Sequence, residues 1–240
     1  ADVAPPSGTE RSYAIHGTLV TSIAVGNMNN GQGTTGIAPK CKFIPVSLGT
    51  NLNTITMVEG LLYCMYHGAS VINLSMGTSF KGMNVLPIDQ QVRFSKEYGI
   101  EQASMWDYVF ALAEKRNVTI VWAAGNDNCY GAMDASKRNV NTIRVAAVDR
   151  TLKRAHFSNF GNLPEFSLNE STISAPGVDI WGAVPFNSYT ADNGTSFSAP
   201  IITGVVALMK SQNKDLTNAE IIDILQDTGK PITGTPGIGN

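Results

Sequence analysis

The chain has 240 residues, of which 43% are apolar and 15% charged, and its formal net charge is −2. Such a length and apolar share suit one large α/β domain with a well-buried core. There is no basic block or basic amphipathic stripe, which argues against nucleic acid and membrane as partners, and no apolar run is long enough to span a bilayer.

Residues 1–14, punctuated by Pro5, Pro6 and Gly8, read as an irregular lead-in. From residue 16 to about 25 the positions Val20, Ile23 and Ala24 fit a helix. Residues 26–36 hold four glycines and three asparagines and form a loop. Residues 42–46 are expected to form a short strand. Residues 54–67 show helical spacing at Ile55, Val58, Leu61, Leu62 and Met65, stopped by Gly68. Residues 70–74 read as a buried strand, whereas 78–103 show no clean period. A helix over 105–116 and strands over 118–123 and 143–148 follow. Residues 155–187 read as short extended pieces and turns. Helices are expected over 198–211 and 216–227, the second with Thr217 to Glu220 resembling a capping box. Strands alternating with helices imply a mainly parallel sheet covered on both faces, a three-layer α/β sandwich. No repeat, low-complexity tract or linker divides the chain.

Cys41, Cys64 and Cys129 are an odd number without C-x-x-C spacing, which argues against a disulfide framework or a zinc site. Cys41 and Cys64 fall in apolar segments and read as core thiols. Cys129 lies in the loop past Asn126 and reads as packing, not as a nucleophile.

The block Asn193-Gly194-Thr195-Ser196-Phe197-Ser198-Ala199-Pro200 precedes an apolar, helix-like run. Two readings compete there. Thr195, Ser196 or Ser198 could simply cap the first turn. Alternatively, a serine at a helix start could attack a carbonyl and leave the oxyanion beside free backbone N–H groups.

Taken in order, His16-Gly17-Thr18, Ala123-Ala124-Gly125-Asn126 and the 193–200 block resemble the subtilisin-like serine peptidases, the subtilases. The resemblance runs from about residue 15 to about residue 228. It implies a subtilisin-like fold and a serine endopeptidase that works through an acyl-enzyme. Ser196 would be the nucleophile, His16 the general base and Asn126 an oxyanion donor. Family members often carry a second histidine after H-G-T, where Leu19 stands here. Ser75, Met76 and Gly77 would pair with an extended substrate, and Ala123, Ala124 and Gly125 would form the facing wall of an open, apolar specificity pocket. The chemistry would need no cofactor. Met28, Asn30, Gln32 and Thr34 resemble a calcium loop of many subtilases, although that loop holds no carboxylate.

The same resemblance implies an aspartate in a strand-Asp-[Ser/Thr]-Gly motif ahead of the histidine. The aspartate before His16 is Asp2, followed by Val3 and Ala4, and it does not match. The expectation is therefore one catalytic domain over 1–240 without the strand that bears the acid. Its partners would be a protein or peptide substrate and a propeptide or separate N-terminal fragment, and an exposed strand edge would follow. The alternatives are Asp2 as an unusual acid, a degenerate peptide-binding module, and acyl transfer or peptide cyclisation at the same site. Between Gly77 and Asn126 the chain is longer than the family needs. The excess, about 79–104, is expected to border the cleft or to form a solvated excursion with a helix of its own. Compartment is open, with secreted favoured over cytoplasmic.

Overall fold

A computed structural model describes residues 9–49, 52–163, 168–169 and 172–232. Its centre is a sheet of four parallel strands in the order β1 (Val71–Leu74), β2 (Thr119–Ala123), β3 (Ile143–Val148), β6 (Ile173–Pro176). The register pairs Leu74 with Trp122, Val121 with Ile143 and Val145 with Ile173. β2 and β3 are buried along their whole length, which explains their unbroken apolar sequence. Two antiparallel ribbons flank the sheet: β4 (Asn162–Leu163) with β5 (Leu168–Asn169), and β7 (Ile180–Val184) with β8 (Ser188–Asp192).

Side-chain alternation along the strands divides the core into two layers. On one face Ile72, Leu74, Ile120 and Trp122 meet Leu61 and Cys64 of α2 (Thr54–Tyr66) and Trp106, Val109 and Phe110 of α4 (Ala103–Lys115). On the other, Val121, Ala123, Ile143, Val145 and Ile173 meet Ile202 and Val206 of α5 (Thr195–Gln212) and Ile221 and Leu225 of α6 (Asn218–Thr228). Helices on both faces of a parallel sheet make the three-layer sandwich that the chain pattern implies. Val206 and Ile221 have no exposed surface. Truncating Ile221 to alanine would cost about 2–5 kcal/mol.

Several local readings shift. α1 (Thr9–Val25) begins seven residues before the expected start, so residues 9–14 are helical and His16 lies inside a helix. No Pro or Gly falls between Gly8 and Gly17 to stop the earlier turns. Residues 42–46 join no strand ladder among the described residues, and Phe43 and Val46 are exposed. Their β-propensity has no partner to satisfy it: β1 pairs with β2 on one side and its other edge is open among the described residues. Cys41 is only half-buried, whereas Cys64 is buried. The aperiodic stretch after residue 78 contains a helix, α3 (Ile88–Glu97), whose Phe94 stacks on Tyr98 while both meet Phe80 edge-on. This insertion is packed, because Val92 and its neighbours cover Cys129, Tyr130 and Met133. The capping box expected from Thr217 and Glu220 is present, and α2 starts on another made by Asn53 and Thr56. No described helix is long and apolar enough to cross a membrane.

Candidate active site

The site lies where the carboxyl ends of β1 and β2 meet the amino end of α5. This is the usual position for ligands in open α/β sheets. A cleft of about 230 Å³ opens there, lined by Met76, Gly77, Thr78, Ser79, Ala123, Gly125, Asn126, Asp127, Lys137, Thr195 and Ser196. Of the residues expected to hold substrate, Met76, Gly77, Ala123 and Gly125 line it. Ser75 and Ala124 sit just behind, both buried.

Ser196 occupies the first turn of α5 and is half-buried. Pro200 follows four residues later and has no N–H, so the Ser196 carbonyl lacks its helical donor. The Ser75 hydroxyl takes that place, donating to Ser196 O at 2.7 Å. Asn73 Nδ2 donates to Ser75 Oγ at 2.9 Å, and Thr203 Oγ1 donates to Asn73 Oδ1 at 2.9 Å. The proline and the strand end thus clamp the turn that carries Ser196. The Ser196 hydroxyl donates to Ser75 O at 3.2 Å. Thr195 N and Phe197 N have acceptors in Asn126 Oδ1 and Gly194 O, whereas the Ser196 N–H finds none among the described residues.

Asn126 is held by the same turn. Its Oδ1 accepts from Thr195 N and from Thr195 Oγ1, each at 2.9 Å. Thr195 Oγ1 in turn accepts from Gly125 N at 3.1 Å. With the amide oxygen fixed, Nδ2 is left as a donor at the cleft surface. Gly125 has φ +115°, and a Cβ there would stand 2.3 Å from Asn159 Nδ2, so no side chain fits.

Sequence reading missed two residues that set this loop. Buried Asn159 accepts from Asp127 N at 2.9 Å and Cys129 N at 3.2 Å, and donates to Ala124 O at 3.2 Å. Thr195 was legible only as a helix cap. A lone Asn in a turn-rich stretch gives no sequence signal for the first role. Cys129 is buried beside Asn159, and burial first, then the Asp127 charge, pushes its thiol up to about 12. A nucleophilic role is therefore unsupported, as the packing reading requires.

His16 is not among the residues that line the cleft and meets α5 through Phe197, the residue after Ser196. Its ring is tilted 53° to that of Phe197, with centroids 5.7 Å apart. Leu19, in the place of the family's second histidine, is buried against Phe197. His16 makes no hydrogen bond to Ser196 or to a carboxylate among the described residues. Burial lowers its pKa below 6.5, partly opposed by the charge of Asp192 at the end of β8. Asp2 lies outside the described residues.

None of residues 26–36 lines the cleft. Asn30 Oδ1 accepts from Gln32 N at 3.1 Å, and Gly33 lies directly against the Tyr189 ring. Residues 26–36 include no carboxylate, so a calcium ion here would have to be held by the carbonyl and amide oxygens of Met28, Asn30, Gln32 and Thr34.

A family model, that of the subtilase family, matches residues 2–237. Among curated proteins, a thermophilic serine proteinase of Bacillus sp. (strain AK1) is 29% identical over 92% of this chain and 48% of its own length. Subtilisin Savinase of Lederbergia lenta is 29% identical over 92% of this chain and 72% of its own length. The chain spans about half the length of the first curated relatives it matches. Two solved structures are also similar. The prenylagaramide maturation protease PagA has a TM-score of 0.69 at 25% identity, over 94% of this chain and 80% of that one. A protease from Pseudoalteromonas arctica has a TM-score of 0.73 at 26% identity, over 93% and 67%.

Proposed function

The chain belongs to the subtilase family, and from that premise we propose that it is a serine endopeptidase acting through an acyl-enzyme on Ser196. Ser196 Oγ attacks the scissile carbonyl carbon while His16 accepts its proton. The oxyanion rests on Asn126 Nδ2 and the Ser196 N–H. His16 then protonates the leaving amine, and water, activated by the same imidazole, releases the acid. The observation that carries this reading is the pairing of an anchored Asn126 amide with a free N–H at the amino end of α5. Each such donor contributes about 3 kcal/mol to the transition state. No cofactor enters these steps.

The reading needs the Ser196 hydroxyl to turn from Ser75 O toward His16, and it needs a carboxylate for the imidazolium. We assign the carboxylate to an aspartate outside the described residues, on a strand added along the open edge of β1. The absence of a carboxylate hydrogen-bonded to His16 among the described residues favours a second reading, a peptide-binding module of the same fold.

Reaction with a fluorophosphonate probe separates the two. Peptidase chemistry predicts that the wild type is labelled and Ser196→Ala is not. An unlabelled wild type that still binds extended peptides would put the binding module first. Intact mass of the labelled sample then shows whether a second polypeptide accompanies the chain.

A further inference from the structure

Lys137 has no role in the steps above, although it lines the cleft. Only 3% of its surface is exposed. It is positioned by a one-turn 3-10 helix, Ala135–Lys137, which Asp134 caps by accepting from Ser136 N at 3.0 Å. Its Nζ donates to Ala124 O at 3.2 Å, an oxygen that also accepts from Asn159 Nδ2. The ammonium lies against the opposite wall, where a Cβ on Gly77 would stand 2.9 Å from Nζ. It therefore spans the two segments between which the substrate residue would sit.

This cation is under-partnered for its depth. An ammonium has three N–H donors, and buried charges are normally paired because desolvating them is costly. The one ion pair within reach distance among the described residues is Arg93 with Glu97, on the surface of α3. Lys137 has none. Burial pushes the Lys137 pKa below its ordinary value, and the carboxylates that oppose this are Asp134 and Asp127. Both carboxylates are spent on other donors: Asp134 on Ser136 and on Thr78 N, Asp127 on Ser79 Oγ and Phe80 N at 2.9 Å each. Burial raises the Asp134 pKa, but those hydrogen bonds and the Lys137 charge outweigh it and hold the carboxyl below its ordinary value. The carboxylate stays ionised and supports a cation beside it. Beyond the neutral Ala124 carbonyl, Lys137 has no carboxylate within ion-pair distance among the described residues.

We propose that Lys137 determines specificity, pairing with an acidic side chain, Asp or Glu, on the substrate residue whose carbonyl Ser196 attacks. The proposal rests on the peptidase reading for which residue enters the cleft. It also corrects the expectation of an open, apolar pocket, since that expectation counted only Ala123, Ala124 and Gly125.

The test is a series of fluorogenic peptides identical except for Glu, Gln, Leu or Lys at that residue. Wild-type kcat/KM for Glu should exceed that for the isosteric Gln by about tenfold or more, with Lys cleaved worst. Equal rates for Glu and Gln would overturn the proposal. This series needs no variant, so a folding defect cannot obscure it. Lys137→Met, if its thermal melt matches that of the wild type, should lose the Glu preference and gain on Leu. Retained Glu preference in that variant would also overturn the assignment. Binding of the intact Glu and Gln peptides to Ser196→Ala, read by fluorescence anisotropy, separates the site from the chemistry. Tighter Glu binding without cleavage by the wild type would keep the carboxylate site and sink the peptidase reading. Cleavage of all peptides with equal binding would do the reverse.

Discussion

Asn126, Thr195 and Asn159 tie the loop after β2 to the amino end of α5 by hydrogen bonds at 2.9–3.2 Å. By contrast, His16 touches the site through a ring contact with Phe197 and has no hydrogen bond to a carboxylate among the described residues. The difference follows from what holds each side. The donor side hangs on β2 and α5, which the sheet and its core fix in place. The base side hangs on α1, which packs against α5 and β7 instead of being held by the central sheet. Under the proposed mechanism the oxyanion donors and the general base are held by different elements, so their contributions are separable by experiment.

The largest effect should come from the reacting atoms. Ser196→Ala and His16→Ala should each lower kcat by on the order of 10⁶ if both act as one unit. A single-turnover assay in which His16→Ala costs less than Asn126→Ala would mean that the base side is not engaged. Next comes Asn126→Ala, expected to reduce kcat by about 10²–10³ with KM nearly unchanged, since the oxyanion exists only in the transition state. A matching rise in KM instead would assign Asn126 to ground-state binding. Thr195→Val keeps shape but removes the hydroxyl that donates to Asn126 Oδ1 and accepts from Gly125 N, leaving the Thr195 N–H as the remaining anchor of Asn126. A loss of about tenfold in kcat is expected, with about 1–3 kcal/mol of stability, and denaturant melts beside initial rates would resolve the two. The smallest effect concerns pH. The base must be neutral, so kcat/KM falls as pH drops through the His16 pKa, which burial sets below 6.5. An acid limb centred above 6.5 would indicate that a carboxylate pairs with the imidazole.

What the sequence revealed and concealed divides along the same physical lines. The Thr217 to Glu220 box and the α2 spacing are local signals, satisfied within a turn or two, and they hold. The family was legible because three short patterns occur in order along the chain. A helix within 79–104 was one of two expectations, but its bounds and packing were not legible, because Phe94 and Val92 gain their meaning from Tyr130 and Met133 across the fold. The 42–46 stretch has strand-forming residues but no ladder, so propensity alone misled. Lys137 lies in a polar run, Asp134-Ala135-Ser136-Lys137-Arg138, that reads as a solvated loop. Only tertiary packing puts its ammonium under the cleft.

α5 bears Ser196 at one end and packs along every strand of the central sheet through its length. Its interior residues Ala199 and Val206 have no exposed surface. Local openings release segments with few buried contacts, and this helix has many. The serine is therefore fastened to the part of the molecule that comes loose last. Partial unfolding at the periphery can alter what reaches the nucleophile, but displacing the nucleophile itself requires the sheet to come apart.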